Sequence, residues 1–159
     1  MTNDADTQNK RIINALQRDG RADVLDIAKR TNIPATTVQK RLKRLTESEI
    51  ITGYEPRIDY DRLGYELTVV FKLDMNDPTG GIIHDLRNDS YIISLYEVTG
   101  EFDVLAIGTF PDTATMNERV RSILSSPEIR AGRTNIVSNT VLENEPIELQ
   151  KADTTRGSD

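Results

Sequence analysis

The chain has 159 residues, 36% of them hydrophobic and 29% charged, which suits one medium domain or two small ones beneath a heavily ionised surface. It contains no cysteine and one histidine, His84, which excludes a disulfide framework, a zinc finger, a thiol nucleophile and a histidine-rich metal site. No stretch approaches the roughly 20 apolar residues of a membrane helix, and residues 1–10 carry no apolar leader, so a soluble cytoplasmic protein is expected.

Residues 6–19 place Ile12, Ile13 and Leu16 at helical spacing and stop at Asp19-Gly20. A second helix starts at Asp23, whose carboxylate caps it, and buries Val24, Ile27 and Ala28 before ending near Thr31-Asn32. Pro34 opens a third helix that runs to about Glu47 and buries Val38, Leu42 and Leu45. Two helices joined by a short turn, with another bracing them, make a helix-turn-helix. Residues 50–57 hold Ile50, Ile51 and Tyr54 with Gly53 and Pro56, which predicts a short hairpin, the wing of a winged helix-turn-helix. Tyr54 and Tyr60 are read as packing residues.

A polar linker, 58–64, separates this first domain (1–57) from a second (65–150) in which the periodicity changes. Tyr65, Leu67, Val69, Phe71 and Leu73 alternate as a half-buried strand, and Pro78-Thr79-Gly80-Gly81 marks a turn into a helix carrying Ile82, Ile83 and Leu86. Strands follow at 91–98 and 102–110, joined by Thr99-Gly100-Glu101. A helix opened by Pro111-Asp112 has Met116, Val120, Ile123 and Leu124 inside, and a last strand is expected over 134–142. The order βαββαβ predicts a ferredoxin-like domain, so the fold class is α+β, a winged helix-turn-helix followed by a ferredoxin-like unit. Residues 151–159 are polar, aperiodic and expected to be disordered.

The charge is segregated. Between Lys29 and Thr46 stand Lys29, Arg30, Lys40, Arg41, Lys43 and Arg44 with no acid among them, while the other 14 basic residues share the chain with all 26 acidic ones. A local +6 block on a −12 background points to double-stranded DNA despite the net charge of −6. At about 100° per residue, Thr36, Lys40 and Lys43 lie opposite the apolar stripe of the third helix, Thr37, Gln39 and Arg44 lie on its shoulders, and Arg41 lies near the buried edge. Hydroxyls in the first turn and cations beyond it suit a recognition helix, with Gln39 able to pair with adenine and Lys40 or Lys43 with guanine. A solvated basic face is the bland alternative. Six phosphate contacts give a log–log salt slope of about −5. Arginine outnumbers lysine 14 to 6 and acids abound, as in proteins of a salty cytoplasm or in an ordinary acidic protein.

The stretches IINALQRDGRA (12–22), DIAKRTNIPATTVQKRLKRL (26–45), IITGY (50–54), VTGEFDVL (98–105) and RTNIV (133–137) resemble the Lrp/AsnC (feast/famine) family of transcription regulators over about residues 6–145. That resemblance implies a second domain that pairs into homodimers, assembles further into octamers and binds a small amino-acid effector between dimers. The effector loop of the family matches Gly100 and Asp103, and Thr134 and Thr140 are weaker candidates on the last strand. A zwitterion needs an anion for its ammonium and N–H groups for its carboxylate, and residues 99–103 offer both; the same five residues also read as a plain β-turn with its acids in water. One departure is Glu49, where the family usually has glycine, which implies another helix cap or a strained residue. The rival readings are an architectural DNA-binding protein, a metabolite sensor without DNA binding and, least supported, a small enzyme, since His84 lacks an acid–base partner. No metal and no cofactor is expected; the aspartates lack any cation-loop spacing.

Overall fold

A computed structural model describes residues 2–76 and 81–149, which pack as two units, one made of residues up to 57 together with 142–149 and the other of 58–141. Of the expected elements, residues 78–80 of the turn and the tail at 151–159 lie outside the described residues.

The first unit holds helices α1 (Thr2–Arg18), α2 (Val24–Thr31) and α3 (Ala35–Glu47). Asp23 caps α2, its carboxylate accepting the Asp26 N–H at 2.8 Å. Asn32 ends α2 at φ 53°, in the left-handed region that asparagine tolerates better than most residues. The turn so formed directs Ile33 into a core with Ile12, Ala15, Ile27, Val38 and Leu45.

At the end of α3 the Glu49 N–H bonds the Thr46 carbonyl and the Ile50 N–H the Leu45 carbonyl, the paired bonds of a Schellman cap. Glu49 itself sits at φ 56°, so it occupies the place of the family glycine at a steric cost. Glu49→Gly should therefore stabilise this unit by about 1 kcal/mol, measured as a raised midpoint in urea at unchanged slope. A lowered midpoint would show that the Glu49 side chain contributes more than its backbone costs.

The hairpin expected over 50–57 is not formed, as these residues carry no strand. Ile50 and Ile51 both give their N–H groups to the Leu45 carbonyl, and Pro56 has none to give to a ladder. Tyr54 and Tyr60 are exposed, at 58% and 43%, and do not pack as expected.

The second unit contains β1 (Leu67–Met75), α4 (Gly81–Arg87), β2 (Ile92–Glu97), β3 (Val104–Phe110), α5 (Thr113–Leu124) and β4 (Ile129–Ile136). The sheet order β2-β3-β1-β4, antiparallel throughout, is the ferredoxin-like arrangement. Alternation along β1 buries Val69, Phe71, Leu73 and Met75 on one face, together with Val104, Ala106 and Phe110 of β3, Ile82 and Leu86 of α4, and Met116 and Ile123 of α5. Phe110 stacks on Tyr91 at 5.2 Å and meets Phe71 edge-on at 6.2 Å. Asp112 caps α5 through the Thr115 N–H at 2.7 Å.

The last strand departs from the expected 134–142: it begins at Ile129 and ends at Ile136. Its register against β1 sets Gly132 beside Leu73, where an added Cβ would stand 2.2 Å from Leu124 Cδ2, so this glycine marks a close helix approach inside a strand. Residues 142–149 group with the first unit, where Asn14 Nδ2 of α1 donates to the Leu149 carbonyl at 3.0 Å.

Candidate nucleic-acid interface and ligand loop

Along α3 the apolar residues Val38 and Leu45 are buried, which turns Thr36, Gln39, Lys40, Lys43 and Arg44 outward, with Thr37 half-buried. Proline at the N-cap leaves the amides of the first turn without a side-chain acceptor, which suits them to an anionic partner. The six cations of the basic block do not share one fate. Arg41 turns back to α1, its Nε donating to Gln8 Oε1 at 2.9 Å and Nη1 to Asn9 Oδ1 at 3.1 Å. Arg30 pairs with Asp19 at 2.8 Å, and that guanidinium, bonded to the Asp19 carboxyl, is the main reason it is held below the usual carboxylate range. Lys43 lies 3.7 Å from Glu47, a loose exposed pair one turn away. Lys29, Lys40 and Arg44 face solvent with no acidic partner among the described residues. Four of the six cations are thus available to phosphate, and the expected salt slope falls from about −5 to about −3.5 per unit.

In the second unit, Val98 N–H to the Asp103 carbonyl at 2.9 Å closes the turn around Gly100, which is exposed at φ 120°. Asp103 is half-buried, and its Oδ2 accepts the Met75 N–H at 2.7 Å. Beside it, Arg130 grips Asp74 with two bonds, Nε to Oδ2 at 2.8 Å and Nη2 to Oδ1 at 2.5 Å. The hydrogen bond from Arg130 chiefly lowers the Asp74 pKa, with a smaller contribution from Asp103. Arg133 lies over the Phe102 ring at 5.7 Å and 3.7 Å from Glu101. Gly100 and Asp103 are therefore brought together in one turn. Thr134 pairs with Phe71 in the sheet register and so shares the helix-covered face, while Arg133 one residue earlier lies on the open face with the loop. Thr140 lies past the end of β4, exposed, and not on a strand as expected.

Residues 6–52 match the family described as winged helix-turn-helix DNA-binding, and residues 69–147 match the Lrp/AsnC ligand binding domain. The chain belongs to the Lrp/AsnC family of transcriptional regulators. An uncharacterised HTH-type transcriptional regulator of Pyrococcus abyssi is 31% identical over 139 residues, 87% of this chain and 95% of that protein. The HTH-type transcriptional regulator LrpA of Pyrococcus horikoshii is 32% identical over 103 residues, 64% of this chain and 73% of its own. Among solved structures, a feast or famine regulatory protein from M. tuberculosis complexed with L-methionine superposes with a TM-score of 0.81 at 22% identity, covering 94% of this chain and 100% of the other.

This Lrp/AsnC chain thus joins a DNA-binding domain to a ligand-binding domain. The Asp74–Arg130 pair beside the loop was not legible in the sequence. The two lie 56 residues apart, and only the β1–β4 register joins them. Arg41 was partly legible, since its angular position already set it near the buried edge of α3. His84 is exposed, its ring nitrogen 3.1 Å from Asn88 Nδ2. Among the described residues no three side chains are grouped to hold a metal, and no helix is long and apolar enough to cross a membrane.

Proposed function

We propose that the chain is a sequence-specific cytoplasmic regulator whose α3 reads DNA through Thr36, Thr37, Gln39, Lys40, Lys43 and Arg44, and whose second domain responds to a small amino acid. The observation that carries the reading is the outward face of α3, where polar readers in the first turns adjoin unneutralised cations. Working as a homodimer, it sets two such helices in successive major grooves over half-sites roughly one helical turn apart. Competition gel shifts test this. Equal loss of the complex to specific and random competitor DNA would favour the architectural alternative and sink sequence-specific reading.

The effector reading rests on the turn at Gly100 and Asp103, which offers open amides beside a carboxylate, and on the methionine complex of a relative in fold. Binding between dimers then shifts assembly, and operator occupancy with it, if one assembly takes the ligand better. An amino acid at 100 times its Kd adds about 2.7 kcal/mol to stability, a clear thermal shift in a screen of the purified chain. Asp103→Asn keeps an acceptor for the Met75 N–H and removes the charge, so it should abolish that shift while leaving the unliganded Tm close to wild type. An undiminished shift in this variant would remove Asp103 from the site.

A further inference from the structure

The first unit contains eleven basic and eight acidic residues over 1–57, a surplus of three, and the segment 142–149 brings three acids and no base: Glu143, Glu145 and Glu148. That segment is fastened along the unit at three points. Asn14 on α1 holds the Leu149 backbone in both directions, Nδ2 donating to its carbonyl at 3.0 Å and Oδ1 accepting its N–H at 2.9 Å. Arg18 pairs with Glu148 at 3.0 Å, and Arg57 pairs with Glu145 at 3.2 Å while donating to the Asn144 carbonyl at 3.1 Å.

The fastening is polar and shallow. Leu142 and Ile147 are 75% and 77% exposed, and Leu149 is half-buried without joining the core of the unit. Beneath it lies an open cavity of about 580 Å³ whose walls include Lys10, Arg11, Arg18 and Arg30. The arginines it engages are themselves about two-thirds exposed, and ion pairs of that kind are weak and screened by salt. Such a strap is built to come off.

We infer that residues 142–149 form an acidic strap that competes with DNA phosphate for the cations of the DNA-binding unit, Arg18 and Arg57 first. Docked, it cancels the positive surplus of the unit; released, it returns two guanidinium groups that a polyanion can take. The inference depends on the DNA-binding reading, because the competitor is the phosphate backbone.

The test uses the full chain and a random-sequence duplex, titrated over a range of salt. Glu145→Gln with Glu148→Gln should raise affinity roughly tenfold at about 0.1 M salt and steepen the log–log slope by about 0.9 for each arginine that reaches phosphate. Asn14→Ala, which loosens the strap and leaves every charge in place, should move affinity the same way. An unchanged or weakened affinity in either variant overturns the strap. A rise in the charge variant alone also overturns it, since the acids then act through net charge and not through docking. If neither wild type nor variants bind DNA, the DNA-binding reading falls as well; equal binding by all three removes the strap only.

Discussion

Lys40→Gln with Arg44→Gln should weaken binding to every duplex alike and make the salt slope shallower by about 1.8 per bound unit, whereas Arg41→Gln should leave that slope unchanged. All three side chains belong to one basic run, and charge counting treats them as equals. Their surroundings differ. Lys40 and Arg44 stand in solvent on the outward face of α3, while Arg41 spans to Gln8 and Asn9 of α1. Removing Arg41 therefore costs helix packing, and it should appear as a lower Tm with intact DNA electrostatics. Gln39→Ala supplies the contrast, a loss of about 1–3 kcal/mol confined to the cognate site, because a base contact distinguishes sequences and a phosphate contact does not. Binding isotherms of the four chains at several salt concentrations check the set. If Arg41→Gln flattens the slope by about 0.9, the share of one phosphate contact, Arg41 leaves α1 to reach DNA and the division of the block is wrong.

Phe71→Ala should destabilise the second unit by about 3–5 kcal/mol. Phe71 is wholly buried at the centre of β1, between Ala106 of β3 and Thr134 of β4, with its ring against Phe110. Strands on both sides and helices above leave little room for collapse into the space, so the cavity penalty adds to the lost burial. A loss of that size is a large share of the 5–15 kcal/mol available to a typical domain. Because the core around Ile12, Ile27 and Val38 shares no residue with the core around Phe71, calorimetry should show one transition falling by at least about 12 °C and another little changed. A single transition that moves as a whole would instead show the two units unfolding together. Phe71→Leu, which keeps most of the volume, should cost far less.

Much of this architecture is written in local periodicity. Val38, Leu42 and Leu45 specify which side of α3 is buried, and with it which side is free for DNA. Asp23 and Asp112 announce the starts of α2 and α5, and each carboxylate does accept the N–H three residues on. The strict alternation from Leu67 to Met75 marks β1 as a strand buried on one face. These signals survive because each is settled within a turn of helix or a few strand residues, where sterics and solvation act on neighbours.

The candidate loop was half legible. The spacing of Gly100 and Asp103 indicates a turn with a carboxylate, but the Met75 N–H that Asp103 bonds and the Asp74–Arg130 pair beside it come from strands distant in sequence. The position of β4 departs from the one that periodicity indicates for a related reason. Arg130, Gly132 and Arg133 look unlike strand residues, and the β-branched run after Thr134 looks better. Backbone pairing with β1 selects 129–136 all the same, and Gly132 serves there because Leu124 leaves no room for a larger side chain.

The amino-acid sequence by itself determined the helix-turn-helix, the ferredoxin-like order of strands and helices, and a basic block concentrated on the second and third helices. Only the tertiary structure decided which cations of that block remain open, how Glu49 closes α3 without glycine, and where residues 142–149 lie. The division has a physical cause. Periodicity and capping are short-range, whereas partner choice among charged side chains depends on which surfaces the fold brings within hydrogen-bonding distance. For Asn14 and Leu149 that means 135 residues apart along the chain and 3.0 Å apart in space.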